Sequence, residues 1–339
     1  MYTVNHTDLV ATIKTAAIDL NLSLMVWGQP GVGKSDVARQ VAADLDAVLI
    51  DVRLSQYDSV DLRGIPSPEN GMTVWNMPST LPFVGNDTFP DDKLIILFLD
   101  EITGASPSTS AVAYQLILDR AIGEHVLKPN VRIIAASNRD GDKGVTNKMP
   151  LPLANRFCHV ELGVSAEAAI DYMLSTGAPA EGVAFLSWRK VLVTTFDPSK
   201  PEKAFATPRA WSSVWRVFKS DAPDAVKRIA TAGLVGEGPA SEFFAFCDMM
   251  DKVIPVSKII ANPEDCELPD ELSMCYATAV SISGEMTLDN ATPLHIYLQR
   301  MDPEFLVLAW QMALKRDDEL LQADEFLDLS KKYRSLFKR

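Results

Sequence analysis

The 339-residue sequence predicts an α/β domain built on a mostly parallel sheet, followed by an all-helical region. Three observations lead to this prediction. A glycine-rich loop separates an apolar strand from a helical pattern, further apolar strands alternate with helical stretches, and the strand signal stops near residue 163. Strands that alternate with helices favour a parallel sheet covered on both faces. We therefore expect a domain of residues 1–163 and a helical domain of residues 164–339.

Composition limits the classes of function. Hydrophobic residues make up 47% and charged residues 23%, as in ordinary globular proteins. The formal net charge of −13 weakens non-specific attraction to nucleic acid, whose affinity depends on neutralising phosphates. The longest apolar run, residues 94–99, is too short to span a bilayer. The first eight residues have neither a basic nor an apolar segment, so we expect no signal peptide and a cytoplasmic protein.

The periodicity of apolar residues predicts the individual elements. Short apolar runs predict strands at 22–27, 47–52, 94–99, 131–136 and 159–162. Helical patterns in the first half lie at 7–21, 35–44 and 108–121. Those in the second half lie at 166–175, 180–193, 209–219, 222–232, 240–253, 303–315 and 317–337. Residues 261–302 stay unassigned because prolines interrupt them.

The strongest motif is the glycine-rich loop, which fits the pattern G-x-x-x-x-G-K-[ST]. Its glycines let the backbone turn tightly, so that successive N–H groups point at phosphate oxygens. The helix that follows adds the positive end of its dipole. Lys34 would reach the β- and γ-phosphates of a nucleotide, and the Ser35 hydroxyl would bind Mg²⁺. The predicted nucleotide-binding residues are Gly28, Pro30, Gly31, Val32, Gly33, Lys34, Ser35 and Asp36.

Two acids follow the apolar strand at 94–99, which is a Walker B pattern. Asp100 would hold the magnesium ion, and Glu101 would orient or deprotonate the attacking water. The pattern is weak by itself because acids often follow buried strands. It becomes specific because a P-loop precedes it in the chain.

Three further polar residues are candidates for the same site. Asn138 ends the next buried strand and is either a water-positioning amide or a turn residue. Arg156 and Arg209 each lie near a predicted element boundary, where a surface salt bridge is the alternative role. Thr207 suits a helix cap and Pro208 the first helical position, which places Arg209 in the first turn. An arginine is disfavoured there by the helix dipole, so it indicates an anionic partner.

The order and spacing of these motifs resemble the MoxR-like group of AAA+ ATPases. The resemblance covers about residues 7–215 and includes the segments 54–64, 114–120, 135–139 and 149–157. It implies that Asn138 is sensor 1 and that Arg209 is sensor 2. It also implies that Arg156 is an arginine finger acting on the ATP of a neighbouring subunit.

The same resemblance implies a fold and an activity. The fold would be an AAA+ αβα core with a parallel sheet, then a helical lid and a C-terminal helical extension. The cofactors would be ATP and Mg²⁺, with Ser35 and Asp100 at the metal. The protein would form a ring, usually a hexamer, and would hydrolyse ATP to remodel or activate a partner protein. In this group the partner often carries a von Willebrand factor A domain.

Two other functions stay open. A nucleic-acid-associated loader or packaging accessory is disfavoured by the net charge. A nucleotide-binding scaffold with little turnover is disfavoured by the full set of candidate catalytic residues, Glu101, Asn138, Arg156 and Arg209.

Three segments outside these motifs carry their own expectations. Asn70-Gly71 ahead of a β-prone run predicts a hairpin within 64–81, and residues 121–127 predict a second one. Each is either a plain surface hairpin or, as the resemblance implies, an element near the ring's pore. The basic C-terminus either complements a helix dipole or docks an acidic partner, and its residues are Lys331, Lys332, Arg334, Lys338 and Arg339.

Overall fold

The computed structural model describes residues 1–139, 141–142, 147–200, 202–250 and 252–333. The described chain divides into two compact units. The first contains Met1–Ser165 and a short stretch that starts at Asp197. The second contains Ala166–Phe196 and the chain from Glu202 onward.

A six-stranded parallel sheet forms the centre of the first unit, as the sequence predicts. Its strands are β1 Tyr2–Val4, β2 Leu24–Trp27, β3 Val48–Arg53, β6 Ile95–Asp100, β9 Val131–Ser137 and β10 Cys158–Leu162. Their order across the sheet is β1-β10-β2-β9-β6-β3. Strand β1 is absent from the sequence prediction, because three largely exposed residues at a sheet edge carry no apolar pattern.

Two hairpins lie outside this sheet, at both predicted places. The first joins β4 Ile65–Glu69 to β5 Met72–Asn76, and the second joins β7 Ala121–Ile122 to β8 His125–Val126. In the first turn, Asn70 and Gly71 have φ angles of 48° and 79°. Two consecutive positive φ angles are the geometry for which Asn-Gly turns are favoured.

The first unit contains the three predicted helical stretches, one of them altered, and two short helices that the periodicity does not predict. They are α1 His6–Thr12, α2 Lys34–Asp44, α3 Ser59–Arg63, α4 Pro107–Asp119 and α5 Leu151–Ala154, with 3₁₀ turns at Leu54–Gln56 and Ile102–Gly104. The Asn5 side chain accepts the Asp8 N–H at 2.8 Å and caps α1. The predicted helix 7–21 is not uniform, because a π-helical segment, Ile13–Asp19, continues α1.

Packing on both faces of the sheet explains why its strands are so apolar. In β6, Ile95, Leu97 and Leu99 join one buried cluster. The alternate residues Ile96 and Phe98 join a second cluster, together with side chains of α1 and α2. Because side chains alternate along a strand, both faces are covered, and every residue of β6 is buried.

All regular secondary structure in the described part of the second unit is helical. Its helices are α6 Ala166–Ser175, α7 Ala180–Trp188, α8 Pro208–Phe218, α9 Asp224–Val235, α10 Glu237–Met250, α11 Val256–Ala261, α12 Leu272–Glu285, α13 Ala291–Gln299, α14 Pro303–Arg316 and α15 Asp324–Lys332. Shorter 3₁₀ turns occupy Lys190–Val193, Leu288–Asn290 and Asp318–Gln322. In the described part of the chain, no helix has both the length and the apolar character needed to cross a bilayer.

Two predicted helices of this unit need correction, and the unassigned stretch is partly helical. The predicted helix 180–193 ends at Trp188 and continues as a 3₁₀ turn. The predicted helix 317–337 is a 3₁₀ turn followed by α15, and residues 334–337 lie outside the described chain. The unassigned stretch 261–302 contains α12 and α13. Pro293 is compatible with α13 because it lies in the first turn, where its missing N–H removes no hydrogen bond.

Candidate nucleotide-binding site

Sheet order brings three candidate segments to one edge. Strand β9 lies between β2 and β6 and is parallel to both. The carboxyl ends of parallel strands meet at the same edge of a sheet, where ligands of open α/β folds bind. Gly28 follows β2, Asn138 follows β9, and Asp100 is the last residue of β6. Segments far apart in sequence are therefore neighbours here.

The P-loop backbone requires glycine at several positions. Gly31 and Gly33 have φ angles of 72° and 102°, in the region that favours glycine. A Cβ atom on Gly28 would lie 3.0 Å from the carbonyl oxygen of Leu162, closer than ordinary packing allows. The loop therefore takes a conformation that side chains at these positions would oppose, and α2 begins directly after it.

The Lys34 ammonium group links the P-loop to the end of β9. Its Nζ donates to the carbonyl oxygens of Gly28 at 2.7 Å and Gln29 at 3.1 Å. It also donates to Oδ1 of Asn138 at 3.0 Å. All three acceptors are oxygens, so phosphate oxygens can replace them without leaving the charge unpaired. Asn138 thus lies at Lys34, where a water-positioning amide is expected.

The other predicted P-loop residues lie near the Lys34 ammonium group in the chain. Pro30, Gly31 and Val32 form the partly exposed turn of the loop. Asp36 lies in the first turn of α2, and its carboxylate pairs with Arg39 at 2.8 Å. Its expected place at the nucleotide stays a prediction.

Asp100 and Ser35 form the candidate metal site. Ser35 Oγ lies 3.2 Å from Asp100 Oδ2, and both residues are buried. Burial raises the pKa of Asp100, while the Glu101 N–H, the Lys34 charge and the Ser35 hydroxyl oppose that increase. A carboxylate beside a hydroxyl suits a hard cation such as Mg²⁺, which keeps several waters and binds substrate phosphates. The described residues contain no cluster of three or more His, Cys, Asp or Glu side chains that could hold a metal ion.

The carboxylate of Glu101 is held by the end of β3 and the 3₁₀ turn that follows it. Glu101 has a φ angle of 55°, a left-handed conformation that is rare for this residue type. Its Oε2 accepts a hydrogen bond from Ser55 Oγ, and its Oε1 lies 3.8 Å from Arg53 Nε. Sequence reasoning missed Ser55 and Arg53. Their contact depends on the pairing of β3 with β6, which the motif pattern does not reveal.

Arg156 lies on an exposed turn between two buried apolar residues. Leu153 in α5 and Phe157 are both buried in the core, whereas Arg156 is exposed. Within the described chain, its guanidinium has no hydrogen-bond or ion-pair partner. The local structure therefore presents Arg156 outward from the first unit.

Arg209 has the predicted local setting in the second unit. Thr207 Oγ1 accepts the Ala210 N–H at 3.0 Å and caps α8, and Pro208 is the first helical residue. Arg209 is exposed in the first turn, as expected. Its role at the nucleotide stays a prediction.

A family comparison agrees with this geometry. Residues 23–157 match the family model of the AAA domain (dynein-related subfamily). The match extends from β2 to Phe157 and so includes the P-loop, Asp100, Glu101, Asn138 and Arg156. The fold is that of an AAA+ P-loop protein. The AAA+ core occupies the first unit, and the helical region follows it in the chain.

Other comparisons are less informative. No curated protein matches the chain. NtrX from Brucella abortus in complex with ADP is 14% identical, with 98% of this chain and 68% of that chain covered and a TM-score of 0.41. The RuvB Holliday junction branch migration motor of Thermotoga maritima is 14% identical, with coverages of 86% and 87% and a TM-score of 0.37. These TM-scores are below 0.5, too low to support an inference about this chain.

The buried carboxylate of Asp100 yields a prediction about stability. Because its pKa is raised, the charged form destabilises the fold above the folded pKa, and this effect is lost as the pH falls through that value. Asp100→Asn can keep both local hydrogen bonds, since its amide oxygen accepts from Glu101 and its NH₂ donates to Ser35. The variant should therefore have a higher Tm than the parent at pH 8 without nucleotide or metal. The difference should shrink as the pH falls.

Thermal unfolding across pH 4–8 measures this difference in Tm. The control is Ser106→Ala at the exposed N-cap of α4, whose effect on Tm should not depend on pH. A Tm of Asp100→Asn below that of the parent at pH 8 would contradict the interpretation.

Proposed function

We propose that this chain is a MoxR-like AAA+ ATPase, which hydrolyses ATP at subunit interfaces of a ring and remodels or activates a partner protein. One observation carries the proposal. Lys34, Asn138 and the Asp100–Ser35 pair meet at the carboxyl edge of the sheet, within a segment that matches the AAA domain. A phosphate-binding lysine, a metal-binding acid and a polar amide are the groups that ATP hydrolysis requires in one place.

Triphosphate binding uses groups already in position. The phosphate oxygens would replace the carbonyls of Gly28 and Gln29 and the amide of Asn138 as acceptors for Lys34. Backbone N–H groups of the loop and the N-terminus of α2 would bind the remaining phosphate charge. Ser35 and Asp100 would hold Mg²⁺, which neutralises charge on the phosphates when bound.

Hydrolysis would then depend on Glu101. Its carboxylate, which contacts Ser55 and Arg53 in this structure, would act on a water molecule beside the γ-phosphate. Water attacks the γ-phosphorus while the bond to the β–γ bridging oxygen breaks, and the proton of the water passes to Glu101 or to phosphate. Asn138 would orient that water.

The AAA+ core has an exposed arginine that can act in another subunit. Arg156 is directed outward and has no carboxylate partner among the described residues. An arginine finger stabilises charge on the transferring phosphoryl group and is worth about 10³–10⁵ in rate. We assign this role to Arg156, which requires a ring, and the resemblance favours a hexamer.

The two hairpins are candidates for contact with the partner protein. Ile65 and Met72 in the first hairpin are each 68% exposed, and Val126 in the second is 51% exposed. The hairpins are adjacent, because the Trp75 N–H lies 3.4 Å from Glu124 Oε1. Exposed apolar side chains on two adjacent hairpins offer a surface for protein contact. A protein with a von Willebrand factor A domain is the first partner class to test, on the strength of the resemblance.

Glu101→Gln should separate binding from turnover. The amide keeps the shape of the side chain but cannot accept the proton, so ATP should bind with parent-like affinity while phosphate release falls at least a hundredfold. Arg156→Ala should show the same separation if that arginine acts on a neighbour. Calorimetry and phosphate release, each with and without DNA, measure both quantities.

Parent-like turnover by Glu101→Gln would contradict the assignment of the base. Stimulation of the parent by DNA would favour the loader alternative, and nucleotide binding without turnover by the parent would favour the scaffold. A pull-down with the Glu101→Gln variant should retain partner proteins in the presence of ATP.

Arg209 is proposed as sensor 2, a cation that responds to the γ-phosphate. Coupling of this kind requires different affinities for the two nucleotide states. Arg209→Ala should therefore weaken ATP binding more than ADP binding, by about tenfold for one lost charge-assisted hydrogen bond. Arg216→Ala, in the last turn of the same helix, is the matched control. Equal losses for ATP and ADP would show that Arg209 has a structural role instead.

A further inference from the structure

Three contacts join the P-loop strand to the turn that carries Arg156. Trp27, the last residue of β2, precedes Gly28 of the P-loop. Its indole N–H donates to His159 Nδ1 at 2.9 Å, and the planes of the two rings differ by 15°, with their centres 6.1 Å apart. On its other side, His159 Nε2 lies 2.7 Å from the carbonyl oxygen of Ala154.

These neighbours define the tautomer of His159. An indole N–H can only donate, so Nδ1 of the histidine must accept. A carbonyl oxygen can only accept, so Nε2 must carry the hydrogen that points at Ala154. The neutral Nε2–H imidazole satisfies both contacts at once. His159 therefore connects one donor and one acceptor in a single orientation.

The Ala154 carbonyl belongs to a turn that is too short to be stable alone. Helix α5 has four residues, fewer than an isolated helix needs. The Arg156 N–H donates to Leu153 at 2.9 Å, and the Phe157 N–H donates to Ala154 at 3.2 Å. The His159 bond is thus a side-chain contact that joins this turn to the sheet, two residues before Arg156. Edge-on contact with the Phe157 ring, at 66° and 6.0 Å, fixes the imidazole further.

We propose that His159 is a positioning residue for Arg156. By holding the Ala154 carbonyl against β10 and the end of β2, it sets the turn from which the arginine reaches a neighbouring subunit's nucleotide. This inference rests on the proposed role of Arg156 in trans. It gives His159 no contact with nucleotide, so its loss should weaken the finger that a subunit donates and leave that subunit's own phosphate site intact.

Two substitutions of His159 separate its two hydrogen bonds. Asparagine can present an acceptor near the position of Nδ1 but is too short to reach Ala154. Glutamine can place an amide N–H near the position of Nε2 and so keep the bond to Ala154. Both remove the aromatic ring, which makes them a matched pair for stability. Only the asparagine variant should lose the positioning of Arg156.

Mixed rings give the test. The recipient subunit carries Arg156→Ala, which leaves its own nucleotide site intact but removes its finger. Three donors carry Glu101→Gln, alone or together with His159→Asn or His159→Gln, so that none of them hydrolyses ATP. The donor with Glu101→Gln alone should restore phosphate release, and the His159→Gln donor should restore most of it. The His159→Asn donor should restore at least tenfold less, while its ATP affinity and Tm match those of the His159→Gln donor.

Each of the other outcomes contradicts the inference and identifies which assumption has failed. Equal recovery with all three donors would overturn the positioning role and leave Arg156 in place. A His159→Asn donor with weaker ATP binding or poorer ring assembly than the His159→Gln donor would assign His159 a structural role. No recovery with the Glu101→Gln donor, in rings shown to be mixed, would reject action in trans and the inference with it.

Discussion

The ammonium group of Lys34 is the interaction on which the site depends. It is held between two P-loop carbonyls and the Asn138 amide, and it therefore joins the end of β2 to the end of β9. A partly buried charge needs such partners, because an unpaired one would be strongly destabilising. The arrangement requires β9 to lie between β2 and β6, as it does. The same order puts Asp100 beside Ser35, so one topological feature places the phosphate site and the metal site together.

Two residues at the carboxyl edge of the sheet lower the stability of the fold but suit nucleotide chemistry. Asp100 keeps a carboxylate where burial raises its pKa, and Glu101 adopts a left-handed backbone conformation. Residues held in unfavourable states persist only where their surroundings fix them, and such residues gather at functional sites. Here the surroundings are the apolar strands, buried on both faces, and the hydrogen bonds from Ser55 and the backbone. The rigid sheet thus holds groups that a flexible loop could not.

Most features that were predicted correctly from the sequence depend on short motifs of adjacent residues. The P-loop glycines, the Thr207-Pro208 helix start and the Asn70-Gly71 turn each act through the backbone of a few adjacent residues, so a single chain reveals them. The contacts of Ser55 with Glu101 and of Trp27 with His159 join residues distant in sequence. They follow from strand order, which periodicity does not determine. Strand β1 and helices α12 and α13 were missed because weak or proline-interrupted patterns hide elements that tertiary packing stabilises.

ATP binding at this site requires Lys34 to exchange its protein acceptors for phosphate oxygens. Titration calorimetry of Mg·ATP into the parent and into Lys34→Met measures this exchange, with folding of both verified by circular dichroism. We expect one ATP bound per chain in the parent and a loss of about ten- to a hundredfold in affinity in the variant, the contribution of one charge-assisted hydrogen bond. Equal affinity in the two folded proteins, or no binding by the parent, would show that Lys34 does not bind the phosphates.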